Sequence, residues 1–157
     1  MSMKKKIALI ISLFCCTVIN AQNSNKYLQS IYDSCLLRHL NYSLKGKGRN
    51  AIDSLFIIRK NENYKGSFET KYTNALLEYL NDAEIYKLAS HKPTDIISFS
   101  APVITDTSIV IYIVDFVVKK VRKDFYDFIN YGGSRHVIQY NCSTGKFEIM
   151  FSKESQY

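Results

Sequence analysis

The chain has 157 residues, of which 46% are hydrophobic and 13% aromatic. That composition is ample for one packed interior and excludes a chain that is disordered throughout. The formal charge is +7 at pH 7, from 21 basic and 14 acidic residues. Because three of the lysines fall in a leader segment, the remainder carries 18 basic and 14 acidic residues, a charge of +4. So small an excess does not indicate a nucleic-acid partner.

Residues 1–21 have the pattern of a secretory signal peptide. The cations Lys4–Lys6 precede an apolar run, Ile7–Ile19, and Ala21 is a small residue at a cleavage position. We therefore expect export to the periplasm, the cell surface or the medium, with a single domain over residues 22–157. The apolar run is shorter than the roughly 20 residues of a membrane-spanning helix. No later segment is long enough either, so we expect no membrane span after cleavage.

The leader also allows a second interpretation, which is lipidation. Leu13-Phe14-Cys15-Cys16 resembles a bacterial lipobox, in which a leucine stands three positions before an acylated cysteine. Phe14 and Cys15 depart from the small residues expected between the two. Cleavage before Gln22 is therefore our main expectation, and a lipid anchor at Cys16 is the alternative.

The first structured element is predicted to be a helix from Tyr27 to about Leu44. Its apolar residues recur at helical spacing and form one face. The residues on that face are Leu28, Ile31, Tyr32, Cys35, Leu36, His39 and Leu40. Lys45–Gly48 contains two glycines and ends the helix.

A short strand is predicted next, over Ser54–Lys60, because the segment is apolar and β-prone. Residues 70–90 fit either one helix or an extended segment followed by a short helix over Asp82–Ser90. We favour the second interpretation, because Asn81 can cap a new helix and Glu84 can reach back to the capping backbone.

Two further strands are predicted, Asp95–Ser100 and Ile109–Val121. The second has the strongest strand signal in the chain, with apolar residues on both faces, as in a central strand that is covered on both sides. Asp124–Gly133 is rich in aromatic residues and is predicted to be a long connection.

The last two strands, Arg135–Asn141 and Lys146–Ser152, are predicted to form a hairpin whose turn uses Gly145. The register that keeps the apolar side chains on one face pairs Tyr140 with Phe147, Ile138 with Ile149, and His136 with Phe151. The expected fold class is α+β. One long helix and a short second helix would pack on one face of an antiparallel sheet of four to six strands.

No sequence motif indicates catalysis or metal binding. His39, His91 and His136 stand in no metal-ligand or nucleophile pattern, so we predict no metal, no cofactor and no enzymatic activity. His39 and His136 are expected to be buried or half-buried rings with one satisfied hydrogen bond each. Asp115 interrupts an apolar strand and is expected to pair with a lysine, an arginine or a tyrosine. The alternative is a small enzyme or ligand-binding domain, with a pocket between helix and sheet that uses Asp115, His136 and Tyr140.

Two cysteines, Cys35 and Cys142, lie outside the leader. An even number of cysteines in an oxidising compartment favours a disulfide. Two separate buried thiols are equally consistent with the sequence, so both interpretations stay open.

The best candidate contact surface is a cationic and aromatic segment between residues 119 and 131. Arginine and tyrosine are favoured at protein interfaces, and the cations suit an acidic protein or an anionic envelope component. The candidate binding residues are Lys119, Lys120, Arg122, Lys123, Phe125, Tyr126 and Tyr131. The alternative is a solvated strand end whose aromatic residues fold back onto the core.

The sequence resembles small exported α+β proteins of Gram-negative bacteria. The resemblance lies in Asn20-Ala21-Gln22, in Ser98-Phe99-Ser100-Ala101-Pro102 and in Gly145-Lys146-Phe147-Glu148-Ile149. The last of these is similar to the closing hairpin of nuclear-transport-factor-like folds. That fold hosts enzymes and binding modules alike.

These observations predict an exported, non-enzymatic binding protein. By analogy with other exported proteins of this size, its role would be that of an immunity factor that blocks a partner protein. The alternatives are the pocket described above and a structural envelope lipoprotein. The identity of the partner and the oligomeric state do not follow from the sequence.

Overall fold

A computed structural model describes residues 28–44, 55–60, 64 and 76–156. The expected signal peptide over residues 1–21, the candidate lipid anchor at Cys16 and the helix stop at Lys45–Gly48 lie outside the described residues. The chain divides into two units, Met1–Ile31 and Tyr32–Tyr157. Of the first unit the structure describes residues 28–31, which are helical.

The described elements are two helices and seven strands. Helix α1 covers residues 28–44 and helix α2 covers Asp82–Ala89. The strands are β1 (Leu55–Arg59), β2 (Leu76–Leu80), β3 (Thr94–Phe99), β4 (Val103–Ile104), β5 (Ser108–Arg122), β6 (Phe125–Asn141) and β7 (Lys146–Gln156). The α+β class is confirmed, and neither described helix is long and apolar enough to cross a bilayer.

The strands form one mixed sheet in the order β2-β1-β3-β5-β6-β7, with β4 paired to β5. Strand β1 pairs in parallel with both β2 and β3, and the other pairs are antiparallel. The expectation of an antiparallel sheet of four to six strands is therefore wrong. One cause is α2, which lies between β2 and β3 in the chain and lets these two strands run in the same direction. A helical crossover returns the chain in the same direction, as a hairpin cannot.

Helix α2 begins where the sequence predicts. The Asn81 side chain accepts a hydrogen bond from the Glu84 backbone N–H at 3.0 Å, and the Glu84 carboxylate accepts from the Asn81 N–H at 2.8 Å. Together these bonds satisfy two amides that the first turn leaves without helical partners. The extended segment followed by a helix is thus the correct interpretation of the described part of residues 70–90.

The two helices cover opposite faces of the sheet. The Phe99 ring of β3 lies 5.3 Å from the Tyr32 ring of α1. Ile96 of the same strand packs in a core cluster with Ile85 of α2. Ile96 and Phe99 are three positions apart, so their side chains point to opposite faces. We call these the α1 face and the α2 face. The expectation that both helices pack on one face is wrong.

Strands β5 and β6 form a long ribbon with a tight turn at its end, where Asp124 has a φ of 58°. The expected connection over Asp124–Gly133 is wrong, because most of that segment belongs to β6. Tyr126 and Phe128 are two positions apart in this strand, so their side chains point to the same face. Tyr126 stacks on Tyr86 of α2, with 4.4 Å between ring centroids, and Phe128 meets the same ring edge-on.

A bulge in β6 changes which residues face α1. Asp115 pairs with Gly132 but Phe116 pairs with Asn130, so Tyr131 is an extra residue. An extra residue reverses the alternation of side chains along the strand. As a result, the even-numbered residues of β6 face α2 before Tyr131 and α1 after it.

The hairpin of β6 and β7 has the predicted register near its turn and a different one beyond it. Tyr140 pairs with Phe147 and Ile138 with Ile149, as predicted. A second bulge then makes Met150 an extra residue, so His136 pairs with Ser152. The prediction that His136 faces Phe151 is therefore wrong. The bulge brings a hydroxyl to this position instead of a phenyl ring.

Candidate functional site

A continuous chain of hydrogen bonds crosses the α1 face. It connects six side chains from four elements, which we call the polar chain: Arg38, Ser152, His136, Ser134, His39 and Asp115. In that order, the distances between successive polar atoms are 3.5, 2.9, 2.8, 2.9 and 2.9 Å. All but the first are within the usual range for such bonds.

Each member reaches the polar chain through the local geometry of its element. His39 lies on the buried side of α1, one turn after Cys35. Asp115 lies on β5 at the first bulge, and that bulge turns Ser134 and His136 toward α1. The second bulge supplies Ser152. The site therefore depends on two irregularities in the sheet.

Gly133 allows β5 and β6 to approach closely beside Ser134. Its φ is +157°, and a Cβ atom at this position would overlap the backbone oxygen of Ile113. A backbone oxygen cannot move aside as a flexible side chain can, so only glycine fits this position without a backbone shift.

The two ends of the polar chain determine the direction of its hydrogen bonds. A guanidinium can only donate and a carboxylate can only accept, while a neutral histidine has one N–H and one bare ring nitrogen. With one proton on each hydroxyl, all the donors point one way: Arg38 to Ser152, Ser152 to His136 Nδ1, His136 Nε2 to Ser134, Ser134 to His39 Nδ1, and His39 Nε2 to Asp115. We infer this proton arrangement from the network itself. In it, both rings are neutral with the proton on Nε2.

The neutral state of His136 fits its surroundings. Burial is the main cause that lowers the pKa of His136 from its ordinary value to about 4, followed by the positive charge that His39 carries when it is protonated and by the charge of Arg38. His39 and His136 are both fully buried. Each makes two hydrogen bonds, where the sequence predicted one. Asp115 has a partner that the sequence did not predict, because its carboxylate bonds to His39.

Part of the polar chain has the composition of an acyl-transfer site. Asp115, His39 and Ser134 are joined by bonds of 2.9 Å, as in a hydroxyl activated by a histidine and a carboxylate. Ser134, however, is only 4% exposed, and its oxygen also accepts the N–H of His136. In this conformation the hydroxyl is closed to a substrate.

The alternative pocket used Asp115, His136 and Tyr140. The structure brings the first two into one network but leaves out Tyr140, which lies four residues along β6, about 13 Å at 3.3 Å per residue. Tyr140 is 53% exposed and packs edge-on against Phe147. Among the described residues, no cluster of three or more histidines, cysteines or acids has an arrangement that could hold a metal ion.

The candidate binding residues divide into two groups. Lys119, Lys120, Arg122, Lys123 and Phe125 are exposed at the end of the ribbon of β5 and β6. We call residues 119–127 the hairpin end. Tyr126 belongs to it but stacks on α2, as in the alternative interpretation of aromatic residues that fold back onto the core. Tyr131 lies at the bulge, where burial and the charges of Asp115 and Asp95 raise its pKa to about 12.

Cys35 and Cys142 are free thiols, so the disulfide considered from the sequence is not formed. Cys35 is fully buried on α1, while Cys142 is exposed in the turn between β6 and β7. Burial raises the pKa of the Cys35 thiol to about 12, as expected of an inert buried cysteine.

Sequence reasoning did not identify Ser134, Ser152 or Arg38 as site residues. A serine in a strand belongs to no sequence motif that would mark it as a site residue. His39 and Asp115 are 76 positions apart, so their contact is not visible in the sequence. Comparison of the chain with protein-family models, with curated proteins and with solved structures finds no match in any of the three.

Proposed function

We propose that the protein is exported and acts as a non-enzymatic binding protein, which engages an acidic partner protein through the hairpin end. The observation that carries this proposal is a group of exposed cations around an exposed aromatic ring. The Arg122 guanidinium lies over the Phe125 ring, 5.3 Å from its centroid, and Phe125 is 48% exposed. A cation stacked on an aromatic ring is typical of interface residues that contribute most to binding.

The position of the hairpin end supports the same role. The pairing of β3 with β5 stops at Val118, so the hairpin end extends beyond β3 as a two-stranded ribbon. The hairpin end is held against the rest of the domain, because Tyr126 stacks on Tyr86 of α2. A rigid projection loses little conformational freedom when it binds.

The charges of the hairpin end favour an acidic protein as the partner. It carries four cations and two aspartates, a net charge of +2, and Lys119 faces Asp127 across the strands. Exposed apolar area at Val121 and Phe125 lies among these charges. Interleaved apolar and charged groups match a protein surface better than a uniformly anionic lipid or glycan.

The polar chain supports a role other than catalysis. The hydroxyl hydrogen of Ser134 is held by His39 and its oxygen accepts from His136. The carboxylate of Asp115 is bonded to His39 in the same network. The groups that could react are thus bonded to one another, and we infer that the polar chain stabilises the packing of α1 on the sheet.

Site-specific photocrosslinking tests the proposed surface. The variant Phe125→p-benzoylphenylalanine, expressed in its own host, should give a discrete adduct with one protein of the cell envelope. The matched control is Tyr140→p-benzoylphenylalanine, since Tyr140 is equally exposed but lies at the other end of β6. Equal adducts from both positions, or none from position 125, would contradict the proposal.

The same material distinguishes the other interpretations. An adduct with a glycan or a lipid would indicate an anionic envelope component instead of a protein. Mass spectrometry of the crosslinked chain should find Gln22 at its N-terminus. An acylated Cys16 would instead support the envelope lipoprotein, and an intact Met1 would contradict export.

A further inference from the structure

The polar chain can accept a proton without losing a hydrogen bond. If His39 becomes an imidazolium, its Nδ1–H donates to Ser134, and Ser134 turns its own proton toward His136 Nε2. His136 then carries its proton on Nδ1 and donates to Ser152. Three bonds reverse and none is lost. Ser152 is only half-buried, so its released hydroxyl proton can turn to solvent.

A second proton cannot be accepted without losing a hydrogen bond. With both rings protonated, Ser134 receives an N–H from each side, and its own hydrogen finds no acceptor among the described residues of this nearly closed site. His39, His136 and Arg38 would then place three positive charges along one network. Unpaired buried polar groups and like charges both destabilise a packed site.

We propose that the polar chain is an acid-operated latch: it takes up one proton while closed, and a second proton detaches helix α1 from the sheet. The latch joins α1 to three strands, because His39 bonds to β5 and β6 while Arg38 reaches Ser152 of β7. Losing these bonds removes the polar contacts that hold this side of α1 in place. The latch is independent of the proposed binding function, which uses the exposed hairpin end and none of the six residues of the polar chain.

Several further charged or titratable groups face the latch. Asp115 is 13% exposed and is the acid at the end of the network. Tyr131 stands beside it on β6, and Asp95 of β3 is close enough to act on Tyr131. Glu154 of β7 pairs with Ser134 across the strands, so it lies on the same face. Cys35 is the neighbouring titratable group on α1, and burial keeps it neutral. The carboxylates of Asp115, Asp95 and Glu154 partly offset the charge of the first added proton, whereas the charge of Arg38 opposes the second.

Ring-nitrogen NMR of the purified protein, recorded from pH 8 to pH 3.5, tests the first step. At pH 8 both rings should carry their proton on Nε2. When His39 becomes charged, His136 should stay neutral and move its proton to Nδ1, so that one added proton changes two rings. Ser134→Ala cuts the network and should abolish that coupled change. Ser98→Ala removes an equally buried serine on the α2 face and should preserve it.

Amide hydrogen exchange tests the second step. As His136 becomes charged near pH 4, protection of the α1 amides over residues 32–44 should fall at least about tenfold relative to pH 6, while α2 and β3 stay protected. His136→Gln removes the second charge but keeps a donor and an acceptor, so α1 should remain protected at pH 4. His91→Gln, at an exposed histidine after α2, should behave as wild type.

Two results would overturn the latch. One is titration of His136 without a prior tautomer change linked to His39. The other is loss of α1 protection at the same pH in His136→Gln and wild type, since acid would then act elsewhere. Failure of the photocrosslinking test would leave both measurements unaffected.

Discussion

At the scale of single residues, the interface between α1 and the sheet contains polar side chains at buried positions that are usually apolar. His39, Ser134 and His136 are buried between α1 and the strands, and all are hydrogen-bonded. Buried polar groups are tolerated when they are bonded and costly when they are not. Single substitutions in this region should therefore have large effects.

Gly133→Ala should lower the free energy of unfolding by more than about 2 kcal/mol, because the added Cβ meets the Ile113 backbone oxygen. Gly145→Ala is the matched control. It has a φ of +66° in an open turn, where the nearest atom to an added Cβ, among the described residues other than its chain neighbours, is the Tyr140 hydroxyl at 3.7 Å. That substitution should cost about 1 kcal/mol. Urea unfolding measures both, and equal losses would contradict the close approach of β5 and β6.

The two described cysteines should differ in reactivity. At pH 8 in the folded protein, iodoacetamide should label Cys142 and leave Cys35 unlabelled, because burial raises the pKa of Cys35 to about 12 and excludes the reagent. Peptide mapping by mass spectrometry gives the extent at each site, and in denaturant both should label fully. Detection of a Cys35–Cys142 disulfide would contradict the structure.

At the scale of elements, local signals predicted much of the fold. The Asn81 and Glu84 pattern placed the start of α2, and the spacing of apolar residues gave α1 over its described length. The pairing of Tyr140 with Phe147 followed from alternation and the turn. These features depend on residues that are close in sequence, so helix capping, helical spacing and strand alternation are enough to predict them.

The bulges and the parallel strands could not be predicted in the same way. A bulge at Tyr131 or Met150 is set by the partner strand, so alternation read along one strand misses it. The polar chain follows from both bulges. It was missed for that reason, although His39, Asp115 and His136 were each singled out. The parallel pairing of β1 with β3 depends on the path of the chain through α2.

Deletion of Met150 tests the second bulge. Met150 is the extra residue of β7 and is 61% exposed. Without it, Ile149 and Phe151 become regular neighbours and Ser152 still pairs with His136. The free energy of unfolding should therefore change by less than about 1 kcal/mol. Deletion of Ile111, a buried residue within β5, should prevent folding, because the side chains beyond it change face. Equal damage from both deletions would contradict the assigned register.

At the scale of the whole molecule, the proposed functions use different parts of one sheet. The α1 face holds the polar chain in a closed site, whereas the hairpin end presents its charges to solvent. In a binding protein, we expect the residues that stabilise the fold to be separate from the residues that contact the partner. Binding should then respond to charge at the hairpin end and not to charge at the opposite end of the sheet.

The most direct test compares two charge reversals of equal size, each combined with the crosslinker at position 125. Arg122→Glu with Lys123→Glu changes the hairpin end, and Lys146→Glu with Lys153→Glu makes the same change at exposed positions of β7. The first pair should lower the adduct yield about tenfold, which corresponds to about 1.4 kcal/mol. The second pair should leave the yield within about twofold of the parent. Equal yields from the two variants would contradict the proposal that the hairpin end binds the partner.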